Sequence, residues 1–394
     1  MQVRRISAEE RLSHSFPLQA YAFEGSPAPA ATADRWRDRL PYNEGNRTLV
    51  AEDGDTVLAA VTAIPMRQNV RGQLLPMAGI AGVVTHPLAR RQGHVRKLLT
   101  ALLGEMRDEG HPVSALYPFR PSFYARFGYA ALPKRRTATF SPGDLGDLVR
   151  ADLPGDVVWE RMGAGYGAYR EFTLRLARER HGFAVFPDFR DARLRDDDER
   201  WLVTARVDDQ VVGAAAYKVT GYDGELLVDD LLVTTPLSRM LLLRFLARHV
   251  DQVSRVVAGI PAYELPELWG TDFQVTVEAR TVIPSGNAPM ARVLSMEALA
   301  GIQTGPGRLT VEVVDDPFLK GSFTLDGRGG TLEVSSAGGA AGATLSAAGL
   351  SALVYGVLDP EELPLRGLGA VPADAAGELR ALFPRLVPHV VADF

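Results

Sequence analysis

The first third of the chain alternates residues typical of strands with residues typical of helices. Residues 93–109 give the clearest pattern, because Val95, Leu98, Leu102 and Met106 recur at helical spacing and Gly110 follows. Short apolar runs predict strands at residues 2–6, 47–51, 56–65, 74–85 and 113–117. Helices are also predicted at residues 8–22, 31–40 and 122–127. This order predicts a mixed α/β (α+β) domain.

The middle of the chain repeats this order more weakly. Its patterns predict strands at residues 201–207, 211–219, 225–233 and 256–259, and helices at 167–180 and 236–253. The repetition suggests two copies of one fold. Residues 188–200, which are rich in Asp and Arg, are predicted to form a solvated loop or helix face.

The last hundred residues change character. Short alternating strands are predicted at residues 310–314, 321–325 and 331–334, followed by helices near 347–358 and 374–383. The final stretch, residues 386–394, is apolar and contains a proline. We expect it to dock on the rest of the protein, because an exposed tail of that composition would be unusual.

Composition narrows the function classes. The chain has 394 residues, enough for two or three domains, and 46% of them are hydrophobic. It has 0 cysteines, which excludes disulfides and thiolate chemistry and suits the cytoplasm. The net charge of -5 argues against nucleic acid as a partner. We expect neither a signal peptide nor a membrane span, and no metal site, because the seven histidines show no ligand spacing.

The most informative stretch joins a predicted strand to the long predicted helix. It begins at Gly79, passes His86-Pro87 and reaches Arg90-Arg91-Gln92-Gly93. A helix start offers unpaired N–H groups and a positive dipole end, and a glycine lets a diphosphate approach the backbone. Walker and Gly-x-Gly-x-x-Gly patterns are absent from the sequence. The loop by itself leaves two interpretations open, a phosphate site or a surface loop with several arginines.

Two motifs together carry a family resemblance. The loop resembles the acetyl-CoA loop of the GNAT acetyltransferases at Arg90 and Gly93, with Val95 where Gly or Ala is usual. Residues 114–119 (SALYPF) and 122–129 (SFYARFGY) are similar to the signature of Eis-like (enhanced intracellular survival) acetyltransferases. The resemblance covers essentially the whole chain.

The resemblance implies a domain organisation and a reaction. It implies a catalytic GNAT domain at residues 1–141, a second GNAT-like domain at 142–289 and a sterol-carrier (SCP2)-like domain at 290–394. The implied function is acetyl-CoA-dependent N-acetylation of a small-molecule or lysine amine, with a hexameric assembly. In the second copy Thr235-Pro236-Leu237-Ser238-Arg239 stands where the coenzyme loop would be, so we expect no coenzyme there.

The resemblance also implies the roles of individual residues. Tyr124 would be the general acid, and the terminal carboxylate of Phe394 the general base. The substrate pocket would contain Trp36, Glu24 and Asp393. The coenzyme would be held by Val83, Val84, Thr85, Arg91, Gln92, Gly93, His94, Val95, Arg96, Phe119 and Arg120.

Each of these residues also has a plain structural interpretation. Tyr124 and Trp36 fit a packed core, Phe394 fits a packed chain end, and Asp393 fits a solvated carboxylate. Two other functions stay open as well. One is transfer of a longer acyl group, since Ala81 and Gly82 are small, and the other is a catalytically silent GNAT-fold binding protein.

Overall fold

A computed structural model describes residues 1–279, 286–392 and 394 of the chain. The first strands are β1 (Gln2–Ile6), β2 (Arg47–Asp53), β3 (Thr56–Val70), β4 (Gln73–Thr85), β5 (Val113–Leu116) and β6 (Ala130–Ala131). The middle strands are β7 (Arg136–Phe140), β8 (Asp156–Arg161), β9 (Ala184–Val185), β10 (Trp201–Val207), β11 (Gln210–Val219), β12 (Gly224–Val233), β13 (Val253–Ile260) and β14 (Val275–Ala279). The last strands are β15 (Met290–Val293), β16 (Arg308–Val313), β17 (Gly321–Asp326), β18 (Glu333–Ser336), β19 (Ala343–Leu345) and β20 (Gly369–Ala370).

The helices lie between these strands. The first domain carries α1 (Phe16–Phe23), α2 (Ala30–Asp38), α3 (His94–Asp108) and α4 (Pro121–Ala125). The middle of the chain carries α5 (Gly146–Arg150), α6 (Met162–Glu179), α7 (Asp188–Asp197) and α8 (Pro236–Ala247). The C-terminal part carries α9 (Ala347–Val354), α10 (Glu362–Leu365) and α11 (Ala373–Leu382).

Two sheets share one topology. The first has the order β1-β2-β3-β4-β5-β15-β6, with β9 paired to β3, and the second, read from its β8 edge, has the order β8-β10-β11-β12-β13-β7-β14. In each sheet one parallel pair, β4–β5 or β12–β13, is joined through a crossover helix, α3 or α8. The suggestion of two copies of one fold is thereby confirmed.

The two sheets exchange strands across both predicted domain boundaries. β7, which precedes residue 141, pairs with β13 and β14 in the second sheet. β15, which follows residue 289, pairs with β5 and β6 in the first sheet. The first two domains are therefore not contiguous pieces of sequence.

The C-terminal part builds a third sheet with the order β18-β17-β16-β19-β20. Its apolar residues join those of the first sheet in one core, in which Met66 and Val113 belong to the same cluster as Val311 and Leu345. The third unit is thus packed onto the first and holds the chain's last residues near it.

Several element boundaries differ from the prediction. The helix predicted at residues 8–22 is a 3-10 turn at Glu10–Leu12 followed by α1, because Pro17 favours a new helix start. The strand predicted to stop at Pro65 continues to Val70. Proline has no N–H to donate, but β2 pairs with β3 only as far as Ala63, so the β2 side of β3 needs no donor at Pro65. Helix α6 starts five residues earlier than predicted, because Gly163 and Gly165 made its first turn look like a loop.

Candidate active site

The start of α3 is an open anion-binding arrangement. Gly93 is the N-cap, with φ 85, a conformation that favours glycine, and it supplies no side chain to cap the helix. The first-turn N–H groups therefore lack a side-chain partner from the N-cap. Arg90, Arg91 and Arg96 are exposed around this turn, and none of them has an ion-pair partner in the part of the chain that the structure describes.

The equivalent helix of the second sheet starts differently. Thr235 accepts a hydrogen bond from the N–H of Ser238 at 3.2 Å, and the Ser238 hydroxyl accepts one from the N–H of Thr235 at 3.1 Å. This capping box satisfies its donors within the protein. The first helix start leaves its amides to an external ligand, whereas the second binds them internally.

A gap opens next to α3 between two parallel strands. β4 and β5 pair from Met77 with Val113 to Ile80 with Leu116, after which β5 ends and β4 continues to Thr85. A bulge at Gly82, with φ 58, bends β4 at this point. Backbone groups of residues 81–85 on the β5 side therefore face the gap rather than a strand.

The gap and the helix start together fit a molecule with a diphosphate and a long polar arm. The amides and arginines at α3 suit the diphosphate, and the free strand edge suits an amide-containing arm. This donor set is the one that coenzyme A requires.

Eight of the eleven predicted coenzyme residues fall into two groups by the exposure of their side chains. Arg91, Gln92 and Arg96 are exposed at the α3 start, and Phe119 and Arg120 are exposed after β5. By contrast, the side chains of three other residues point into the protein: Val84 lies among core residues, Val95 packs on the core beside α3, and His94 contacts Met1 and Gln92. These three can offer a ligand only their backbone groups.

Tyr124 lies on the short helix α4 that follows β5. Its ring is buried and stands edge-on to Phe119 at 5.5 Å and to Phe123 at 5.0 Å. Burial raises the pKa of Tyr124 well above its usual value, and Tyr129 adds to the shift. The phenol is therefore protonated at neutral pH and can donate a hydrogen bond.

The C-terminal tail docks against the first sheet at the same strand pair. The N–H of His389 donates to the carbonyl of His181 at 2.7 Å, and residues 388, 389 and 391 are buried. The ring of Phe394 then reaches Gly79 on β4 and stands 5.7 Å from the ring of Tyr117, just past β5. A side chain at Gly79 would contact that ring at 3.2 Å, so the glycine allows the close approach.

Comparison with known proteins decides the family. Residues 2–132 and residues 175–293 each match an acetyltransferase (GNAT) domain. An uncharacterized N-acetyltransferase of Streptomyces coelicolor is 28% identical over 80% of this chain and 81% of its own length. The chain is a tandem GNAT N-acetyltransferase.

Solved structures share the whole architecture of this tandem GNAT enzyme. A GCN5-related N-acetyltransferase of Kribbella flavida has a TM-score of 0.82 and 26% identity, covering 100% of this chain and 98% of that one. Eis1 of Mycobacterium abscessus has a TM-score of 0.78 and 19% identity, covering 100% of both chains. At 19% identity, the similarity to Eis1 shows a shared fold alone.

Two of the predicted substrate residues, Trp36 and Glu24, lie on or next to the helices α1 and α2. Trp36, on α2, is half-buried and packs on Phe16 with 4.8 Å between ring centroids. Glu24 is 3.6 Å from Arg35, which offsets its charge. Asp393 lies outside the described residues. Neither Trp36 nor Glu24 lines the larger cavity that the tail borders.

The structure adds residues that sequence reasoning missed. Gln19, on α1, is buried and donates to the carbonyl of Gly82 at the β4 bulge (3.4 Å), while its Oε1 has no hydrogen-bond partner among the described residues. Phe186, after β9, stands 6.4 Å from the ring of Phe394. Gln19 occupies a helix predicted from its apolar residues, and Phe186 lies in a stretch without periodicity. No local pattern points to either one.

Metal-binding clusters and membrane-crossing helices are both absent from the described residues of this tandem GNAT enzyme. Within residues 1–279, 286–392 and 394, no group of three or more His, Asp or Glu side chains could hold a metal ion. Across the same part of the chain, no helix has both the length and the apolar character that crossing a bilayer demands.

Proposed function

We propose that this enzyme transfers the acetyl group of acetyl-CoA to a primary amine of a polyamine-like, aminoglycoside-like or lysine-like acceptor. The observation that carries the proposal is the uncapped α3 start, with its unpaired arginines, next to the open edge of β4 and the docked Phe394. Residues Arg91, Gly93 and Arg96 would hold the diphosphate, and the β4 edge from Val83 to Thr85 would hold the arm.

Acetyl-CoA supplies a thioester, so that a C–N bond forms as the C–S bond breaks, one proton leaves the nitrogen and one is taken up by sulfur. Tyr124 is proposed to donate toward the sulfur. Its raised pKa keeps the phenol protonated, which makes it a hydrogen-bond donor through the whole physiological pH range. Strand-edge N–H groups near Val83 are proposed to stabilise the oxyanion.

The acceptor must lose a proton, because a free alkylammonium has a pKa of about 10. We propose that the carboxylate of Phe394 takes this role, directly or through water. A carboxylate gains basicity where apolar groups displace water, and the Phe394 ring is packed with Tyr117 and Phe186. The same negative charge would attract the ammonium.

We further propose that the C-terminal unit is sterol-carrier-like and that it delivers the tail rather than carrying a lipid. Its shared core with the first sheet supports a fixed position for the tail. A hexameric assembly is proposed from the family resemblance. Light scattering coupled to size-exclusion chromatography would test the assembly.

The activity is tested by free-thiol release from acetyl-CoA with a panel of amines. Tyr124→Phe is expected to lower kcat about 10²-fold or more, with Tyr222→Phe, at an exposed tyrosine, as the matched control.

Two changes to the tail distinguish the role of the Phe394 ring from that of its carboxylate. Deleting Phe394 removes both, whereas adding one glycine after it keeps the ring and moves the carboxylate.

Each outcome has a defined meaning. Thiol release that needs an amine supports the proposal, and binding of acetyl-CoA without any release supports a silent binding protein. Faster release with propionyl- or longer acyl-CoA supports the longer-acyl alternative. Wild-type turnover in both Tyr124→Phe and the glycine-extended chain would refute the assigned acid and base.

A further inference from the structure

A cavity of about 490 Å³ lies between the first and second domains. Its walls come from α7, from residues 39–43 and 183–186, and from the tail residues Val391 and Ala392. Phe186 belongs both to this wall and to the aromatic contacts of Phe394. The cavity therefore borders the proposed reaction centre.

The charges in the cavity wall are not balanced. Each carboxylate of the wall has an arginine within 4 Å. The pairs are Asp191–Arg170, Asp197–Arg193, Glu199–Arg200, Asp229–Arg200 and Asp230–Arg135. Two arginines of the wall, Arg39 and Arg190, have no such carboxylate among the described residues. Among the described residues the wall carries six arginines and five carboxylates, an excess of one positive charge, because Arg200 pairs with both Glu199 and Asp229.

The positive charge of Arg190 is not neutralised by any carboxylate of the described residues. Its guanidinium contacts the ring of Phe186 at 5.1 Å and donates to Asn43 Oδ1 at 3.3 Å, both neutral partners. Desolvation lowers the pKa of Arg190 to about 10, and Arg193 and two more arginines add to the effect. The group is still charged at neutral pH, so the protein maintains a partly desolvated cation beside a cavity.

A buried neighbour strengthens this positive field. Arg11 is 7% exposed, and its Nε and Nη1 have no hydrogen-bond partner among the described residues. It is one of the arginines whose charge acts on Arg190, together with Arg39. Arg11, Arg39 and Arg190 thus share a region in which no carboxylate of the described residues pairs with them. Unpaired buried charges are costly, and an anion would offset that cost.

We propose that Arg190, assisted by Arg39, binds an anionic group of the acetyl acceptor, so that the preferred acceptor is an amine that also carries a carboxylate or a phosphate. A guanidinium binds either group through two parallel hydrogen bonds. The ring of Phe186 contacts both the Arg190 guanidinium and the ring of Phe394. The acceptor would span this ring, with its anion at Arg190 and its nitrogen at the tail. This inference rests on the proposed function and narrows it, because a polycation would be repelled here.

The test compares amines that differ in the acidic group. Thiol release is measured with hexylamine and 6-aminohexanoate, and with ethanolamine and O-phosphoethanolamine. In the wild type, kcat/KM for the acid-bearing member is expected to be about ten- to a hundredfold higher in at least one pair. The pair that shows the preference distinguishes a carboxylate from a phosphate.

Variants assign the preference to Arg190. Arg190→Gln is expected to bring the ratio within each pair close to one, and Arg190→Lys to keep part of it. Arg195→Gln is the matched control, because Arg195 lies on the same helix, pairs with Asp196 and does not line the cavity. Its ratio is expected to equal that of the wild type.

The two proposals fail in different ways. If no amine releases thiol, the proposed function is wrong. If hexylamine and ethanolamine are acetylated as well as their acid-bearing partners, or if Arg190→Gln keeps the wild-type ratio, the function stands and this inference is overturned.

Discussion

The ion pair of Arg292 and Asp316 joins the C-terminal unit to the first domain, and its removal should strongly destabilise the protein. Arg292, on β15, is 1% exposed and lies 2.8 Å from Asp316, which is 4% exposed. The guanidinium also donates to the carbonyl of Phe127, close to α4 and Tyr124. Arg292→Met would leave the Asp316 carboxylate buried without its cation.

Burial sets the size of the effect. Breaking a buried pair by removing one partner costs about 3–5 kcal/mol, whereas an exposed pair contributes about 0–1 kcal/mol. The pair Arg150–Asp147 has almost the same distance, 2.7 Å, but its side chains are 79% and 98% exposed. Arg292→Met is therefore expected to lower the melting temperature by roughly 4–6 °C, and Arg150→Met by about 1 °C or less.

Thermal unfolding followed by tryptophan fluorescence measures both variants, and a double variant completes the cycle. Replacing both partners, as in Arg292→Met with Asp316→Leu, removes the unpaired charge and should recover most of the lost stability. If Arg292→Met melts like Arg150→Met, or if the double variant is less stable than the single one, the reasoning about the buried charge is wrong.

Two more predictions follow from the docked tail. Gly79→Ala would place a methyl group 2.7 Å from Met66 Sδ and 3.2 Å from the Phe394 ring. We therefore expect a loss of about 1–3 kcal/mol in the free energy of unfolding and a lower kcat. A wild-type kcat would show that catalysis does not require the Phe394 ring at this position. Burial lowers the pKa of His389 to about 3, below its unfolded value of about 6.5. Its contribution to stability is therefore complete above pH 6.5 and is lost as the pH falls toward 3. Melting curves from pH 7 to pH 4 should drop less steeply for His389→Phe, and parallel curves would contradict the assignment.

Local patterns were sufficient to predict the helix α3 and its glycine start. The helix of α3 follows from the spacing of its leucines, and its glycine start follows from the need for a positive φ next to a ligand. Those signals lie within a few residues of one another. The resemblance of the whole chain then supplied the tandem arrangement that the GNAT matches confirm.

Features that depend on distant pairing were out of reach. The segment 188–200 was predicted to be a solvated loop or helix face, yet its α7 lines a cavity and places Arg190 there. Helix α7 has no apolar stripe from which its burial could be predicted. Its charged side chains instead form ion pairs with one another, such as Arg193 with Asp197 and Arg195 with Asp196. The strand exchange left no trace either, since β7 and β15 resemble any other short strand.

That exchange also constrains how the polypeptide is made. The first sheet receives β15 between β5 and β6, so its hydrogen-bond ladder stays incomplete until residue 293 has left the ribosome. Such distant pairings slow folding, because the chain loses the entropy of closing a long loop before the strand contacts that offset this loss can form. Until then, the edges of β5 and β6 are open to strands of neighbouring nascent chains. An isolated N-terminal fragment would therefore be a poor reagent, and a nick between the first two domains would leave each still threaded into the other.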